Sequence, residues 1–68
     1  MTNYKIKDES IFQGWLRFRV GNGEFRAERS GDGIVSVFVR QGESFGFDRR
    51  VRAKFTANAV YTAWRDSA

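Results

Sequence analysis

The sequence contains neither cysteine nor histidine among its 68 residues. Disulfide bonds, thiol chemistry and the usual zinc-ligand sets are therefore excluded. Nucleophilic catalysis would have to use a lysine or a carboxylate as its base, and neither is placed suggestively beside a nucleophile. We therefore expect a protein that is not an enzyme and that holds no cofactor and no metal.

Long apolar segments are also absent. The longest uncharged apolar run, GIVSVFV, is far too short to span a bilayer, and the N-terminal MTNYKIKDES has no stretch typical of a signal peptide. No linker, low-complexity segment or internal repeat divides the chain. The sequence predicts a single domain over residues 1–68, located in the cytoplasm and without a membrane partner.

Aromatic residues are abundant by contrast, with seven Phe, two Trp and two Tyr. Each aromatic side chain can bury roughly 150–250 Å². A chain this short retains a net stability of only about 3–5 kcal/mol. Aromatic packing is therefore expected to build the core in place of disulfides.

A period of two in the apolar residues predicts strands over most of the chain. GWLRFRV places Leu16, Phe18 and Val20 on one face and Arg17 and Arg19 on the other. The GNG that follows predicts a hairpin with Asn22 and Gly23 as the central residues of a type I′ turn. In that register Val20 lies opposite Phe25, and Phe18 lies opposite Ala27.

The next strand, IVSVFVR, is apolar on both sides, because Ile34 and Phe38 share one face and three valines share the other. Either a helix or loop covers it, or it presents a stripe to a partner. FGFDRRVRAKF, residues 45–55, fits a strand better than a helix. Its odd positions form one face with a single exception, Arg49, and a bend is expected near Asp48. That face comprises Phe45, Phe47, Arg49, Val51, Ala53 and Phe55.

After residue 55 the period changes to that of a helix over 57–66, with Thr56 as its N-cap. Its apolar stripe is expected to pack through Val60, Tyr61 and Trp64 on a cluster of four phenylalanines. Those are Phe18, Phe25, Phe38 and Phe47. The predicted fold is α+β: a twisted antiparallel meander of four to five strands from about residue 4 to 55, with one C-terminal helix on a face.

Twelve basic residues against eight acidic ones give a net charge of +4, and nine of the twelve are arginines. The densest basic segment comprises Arg49, Arg50, Arg52 and Lys54. Arginine grips phosphate or carboxylate with two hydrogen bonds, so this segment suits a phosphate backbone or an acidic protein surface. The alternative is a solvated face that keeps the protein soluble. Trp15, Arg17 and Arg19 complete the candidate binding residues, although Trp15 fits equally well under the helix or a loop.

Two short stretches resemble nucleic-acid-binding families. SFGFD is similar to the aromatic RNP1 stretch of cold-shock and RRM domains, from which it departs at Ser44 and Asp48. GESFGFDRRVRAKFTANAV is similar to the last strand and helix of the arm-binding domains of phage tyrosine recombinases. Those resemblances imply a DNA- or RNA-binding module that contacts phosphates through residues 49–54.

Small size, no recognisable catalytic chemistry and many arginines and aromatics are also typical of small phage-type inhibitors, including anti-CRISPR proteins. Arg, Trp and Tyr dominate the binding energy of protein interfaces. The favoured hypothesis is therefore a non-enzymatic protein that docks on a nucleic-acid-handling protein complex, for example a nuclease effector, and blocks or modulates it. A nucleic-acid-binding module is the alternative, and a second copy of the chain is a further candidate partner.

Overall fold

The computed structural model describes residues 5–67 of the chain. Five strands come first: β1 (Ile6–Phe12), β2 (Trp15–Val20), β3 (Gly23–Gly31), β4 (Ile34–Gln41) and β5 (Ser44–Arg52). One helix, α1 (Ala57–Asp66), follows them. No helix in this part of the chain is long and apolar enough to cross a membrane.

The strands form one antiparallel sheet in the order β1-β2-β3-β4-β5. Each strand pairs with its neighbour in sequence, so the sheet is a meander, and α1 packs against it. The predicted α+β fold is confirmed, with five strands. Tyr4, the expected start of the meander, lies outside the described residues.

The β2–β3 turn differs from the predicted one. Gly21 and Asn22 are its central residues, and Gly21 has a positive φ of 58°. Glycine in the first central position suits such a two-residue hairpin. Phe18 therefore lies opposite Phe25 instead of Ala27. The predicted register was wrong, but both registers keep the same residues on each face, because side chains alternate with a period of two.

The face of the sheet under α1, the helix face, carries the core. Its central residues are less than about one-tenth exposed: Leu16, Phe18, Phe25, Ala27, Val35, Val37 and Val51. Ala57 and Val60 of α1 are fully buried against them. Tyr61 and Trp64 pack on the Phe25 ring in an edge-to-face manner, with ring centroids 5.6 and 5.0 Å away. The predicted apolar stripe of the helix is thus confirmed.

The start of α1 is fixed by two side chains that accept hydrogen bonds from its first turn. Thr56 is the N-cap, and its hydroxyl accepts a hydrogen bond of 3.3 Å from the Ala59 amide. Glu9, from β1, accepts a hydrogen bond of 3.1 Å from the Ala57 amide. A carboxylate there also suits the positive end of the helix dipole. The sequence predicted the cap and the helix bounds, but not the contribution of Glu9.

A β-bulge in β5 changes which residues face the helix. Phe47 pairs with Phe38 and Arg49 pairs with Val37, so Asp48 is an extra residue. An extra residue reverses the alternation beyond it. Phe47 therefore lies on the opposite side of the sheet from α1. Phe38 lies there as well, because it pairs with Arg26 while Val35 and Val37 of the same strand face the helix. The expectation that these two phenylalanines pack under the helix was wrong.

Phe18 provides a test of this core. It is 1% exposed, and its ring stacks on that of Phe25 with centroids 5.2 Å apart. Phe18→Ala should lower the free energy of unfolding by about 3–5 kcal/mol, which is as large as the net stability of so small a domain. We expect circular dichroism to show an unfolded variant.

Phe47→Ala is the matched control, because it removes the same ring from a position that is 52% exposed on the other face. It should retain a cooperative thermal transition. If the two variants melt alike, the assignment of the core to the helix face is wrong.

Candidate binding surface

The side of the sheet opposite α1 is covered by no element among residues 5–67. We call it the open face. The strand registers place on it Trp15, Arg17, Arg19, Glu24, Arg26, Glu28, Ser36, Phe38, Arg40, Phe45, Phe47, Arg50 and Arg52. β1 adds Lys7, Ser10 and the 69% exposed Phe12. We therefore take this uncovered face, with its arginines and aromatic side chains, as the candidate binding surface.

An aromatic row crosses the middle of the open face. Trp15 reaches over β3 to Phe38, with ring centroids 5.2 Å apart and planes at 61°. Phe38 meets Phe47 in the same edge-on manner, at 5.6 Å and 73°. Edge-to-face pairs of this kind are stabilising and hold the rings in fixed orientations. The aromatic row, Trp15–Phe38–Phe47, is therefore a pre-ordered apolar contact surface.

Two arginines stack on phenylalanine rings of the open face. The guanidinium carbon of Arg26 lies 4.1 Å from the centroid of the Phe45 ring, and that of Arg50 lies 5.3 Å from the centroid of Phe47. The Nε of Arg26 is buried and donates to no group among residues 5–67. Stacking orders both side chains without consuming their outer donors.

Other arginines of the open face are paired with carboxylates. Glu24 accepts hydrogen bonds from Arg40 at 2.8 Å and from Arg17 at 3.5 Å. The hydrogen bond from Arg40 is the largest cause of a lowered Glu24 pKa, and the bond from Arg17 acts in the same direction. Desolvation of the carboxylate opposes both. Arg19 lies 3.4 Å from Asp8. The charge of this part of the face is therefore largely compensated.

Arg49 does not belong to the open face. Beyond the bulge its side chain lies on the helix face, where its Nε donates to Asp48 at 2.6 Å. Its Nη1 donates to the Trp64 carbonyl and the Ser67 hydroxyl, at 3.3 and 3.2 Å. Its guanidinium carbon also lies 5.2 Å from the centroid of the Trp64 ring. Arg49 thus attaches the end of α1 to the sheet, and the structure does not bring it together with Arg50, Arg52 and Lys54, with which the sequence analysis grouped it.

The remaining candidate residues are divided between two places. Five of the seven lie on the open face: Trp15, Arg17, Arg19, Arg50 and Arg52. Lys54 follows β5 and is exposed at the end of the sheet. The sequence reasoning missed Arg26 and the phenylalanines of this face. The alternation in GEFRAER could have predicted the position of Arg26, because a residue between the apolar Phe25 and Ala27 of a strand lies on the opposite face from them.

Both edges of the sheet carry bulges. β1 has one between Lys7 and Ser10, where Asp8 adopts a positive φ of 58°. β5 has one at Asp48. Bulges and charges on edge strands oppose the addition of a further strand. A partner is therefore expected to contact side chains of the open face instead of extending the sheet.

A scan of protein-family models, a search of curated proteins and a search of solved structures found no match to this chain. Function is therefore inferred from the geometry of the open face and the ends of the sheet.

Asp48 generates a prediction about pH. Its Oδ2 accepts hydrogen bonds of 2.6 Å from Trp64 Nε1 and from Arg49 Nε. The bond from Trp64 is the larger cause, and both lower the pKa of Asp48 below its ordinary value near 3.8. A carboxyl with a lowered pKa in the folded state stabilises the fold above its unfolded pKa. That stabilisation is lost as the pH falls through the folded value.

We therefore expect the free energy of unfolding to decrease as the pH falls below about 4, and Asp48→Asn to flatten this decrease. Urea denaturation followed by tryptophan fluorescence, from about pH 6 to pH 2.5, measures it. Glu43→Gln is the control, because it removes an exposed carboxyl that forms no ion pair among residues 5–67, and it should leave the acid dependence as steep as in the wild type. An unchanged acid dependence in Asp48→Asn would contradict the proposed role of this contact.

Proposed function

We propose that this chain is a non-enzymatic binding protein that docks through its open face on a nucleic-acid-handling protein complex and blocks or modulates it. The observation that carries the proposal is the aromatic row, flanked by arginines and left uncovered by residues 5–67. Ordered aromatic and arginine side chains at the centre of a surface are typical of the residues that dominate protein interfaces.

Protein is favoured over bare nucleic acid by the way the rings are arranged. Aromatic platforms for single strands offer ring faces to bases. Here Trp15 and Phe38 meet edge-on, and the guanidinium groups of Arg26 and Arg50 each lie over one side of the Phe45 and Phe47 rings. Such rings offer edges and apolar rims, which pack against side chains better than against bases.

The charge of the open face supports the same choice. Seven of the chain's twelve basic residues lie there, but three carboxylates, of Asp8, Glu24 and Glu28, are interleaved with them. Interleaved acids repel phosphates and lower the affinity for a continuous backbone. Arg26 and Arg50 have no carboxylate partner among residues 5–67. An acidic patch on a protein would supply complementary groups to them.

Phe47→Ser tests the proposal. The variant removes an exposed ring of the aromatic row and should weaken docking by at least about 2 kcal/mol, or roughly 30-fold in Kd. Tagged wild type and variant are used to capture proteins from cells that naturally produce the chain, with and without nuclease. We expect the wild type to retain a nucleic-acid-handling complex after nuclease treatment and Phe47→Ser to lose it.

Ile11→Ser is the matched control, because Ile11 is 61% exposed but lies on the helix side of β1, opposite Leu16. It should capture the same complex as the wild type. Equal loss in both variants, or capture that disappears with nuclease, would contradict docking through the aromatic row. Retention of only the chain itself would indicate a homodimer instead.

A further inference from the structure

A second surface lies at the end of the sheet where β3 turns into β4 and β5 leaves the sheet. A depression of about 250 Å³ lies there beside the Asp32–Gly33 turn, and Arg29, Lys54 and Phe55 line it. Arg52 borders it as well, because its Nη1 would lie 3.4 Å from a Cβ placed on Gly33. Three cationic side chains from two segments, β3 and the end of β5, thus lie around one end of the sheet, which Arg29 reaches from the helix face and Arg52 from the open face.

These cations differ from three arginines of the open face. Arg17, Arg19 and Arg40 lie within 3.5 Å of carboxylates, whereas Arg29, Arg52 and Lys54 form no ion pair among residues 5–67. One carboxylate, that of Asp32, lines the same depression. Three unpaired cations therefore stand against one carboxylate around this depression.

The backbone that presents these side chains is held in place. The amide of Ala53 donates to the Gly33 carbonyl at 3.0 Å, and the amide of Thr56 donates to the Lys54 carbonyl at 2.9 Å. The guanidinium carbon of Arg29 lies 4.9 Å from the centroid of the Phe55 ring. Groups fixed before binding lose less entropy when they engage a ligand.

We propose that this depression, the sheet-end site formed by Arg29, Arg52 and Lys54, binds phosphate groups of a nucleic-acid backbone. Two guanidinium forks and one ammonium match the oxygen atoms of phosphates. The phosphate chemistry follows from the site itself. The choice of nucleic acid as its source rests on the proposed function, in which the docking partner carries nucleic acid.

The salt dependence of binding tests the site directly. Fluorescence anisotropy is measured with a labelled duplex of arbitrary sequence and with one of its single strands, with pyrophosphate as a competing small anion. Three phosphate contacts on the duplex predict a slope of log K against log salt of about −2.7. Affinity should then fall about 40-fold between 50 and 200 mM salt. Binding at physiological salt should remain weak. The measurement uses nucleic acid without any protein partner, so failure of the protein-docking proposal would not affect its result.

The double variant Arg52→Gln/Lys54→Gln should reduce the slope to about −0.9, so that affinity falls only about three- to fourfold over the same range of salt. Arg17→Gln/Arg19→Gln is the matched control, because it removes the same charge from residues paired with Glu24 and Asp8. The control should keep a slope near −2.7. Equal slopes in the two variants would mean that net charge alone attracts the duplex, and the site would be rejected.

Asp32→Asn gives a test of opposite sign. It removes the carboxylate of the depression and should raise duplex affinity at low salt about threefold. Glu43→Gln removes one negative charge from the β4–β5 turn, away from the site, and should leave the affinity unchanged. Absence of binding to either nucleic acid in low salt, or affinity that Asp32→Asn leaves unchanged, would overturn the proposal and favour an acidic protein as the partner.

Discussion

The extra residue at Asp48 determines both what the helix covers and what the open face exposes. Without it, alternation along β5 would place Phe47 and Val51 on the same side of the sheet. The bulge sends Phe47 to the open face and keeps Val51 in the core under α1. Asp48 also accepts a hydrogen bond from Trp64 Nε1, so the same irregularity anchors the helix. The aromatic row and the anchoring of the C-terminal end of α1 therefore both involve this one residue.

The elements that follow from periodicity could be predicted from the sequence, because strands and helices impose distinct spacings on apolar residues. The helix at Ala57–Asp66 is one example, and the strand predicted over residues 45–55, which the structure has at Ser44–Arg52, is another. The hairpin register at Gly21 could not be fixed, since Gly21-Asn22 and Asn22-Gly23 are both acceptable turns and both keep Phe18 in the core. The bulge at Asp48 could not be predicted, because an extra residue in a strand leaves no mark in the pattern of apolar residues. Phe47 was therefore assigned to the helix face, although it lies on the open face.

The candidate binding residues show why a charge cluster in a sequence is a poor guide to a surface patch. Neighbouring residues of a strand point to opposite sides, so Arg49 and Arg50 are separated by the sheet itself. A patch on a sheet is assembled from residues of adjacent strands. Arg26 of β3 and Arg50 of β5 illustrate this, because they flank one aromatic row although 24 positions separate them. Only the strand register identifies such neighbours.

The two proposed contacts adjoin each other through Arg52, which lies on the open face and also borders the depression beside Gly33. Bulges at both edges oppose the addition of a strand, and α1 covers the other face. The two surfaces that we propose for binding are therefore one face and one end of the sheet. A partner that presents protein and phosphate side by side would engage both surfaces at once. Two linked weak contacts reach an affinity that neither has alone, because the second binding step becomes intramolecular.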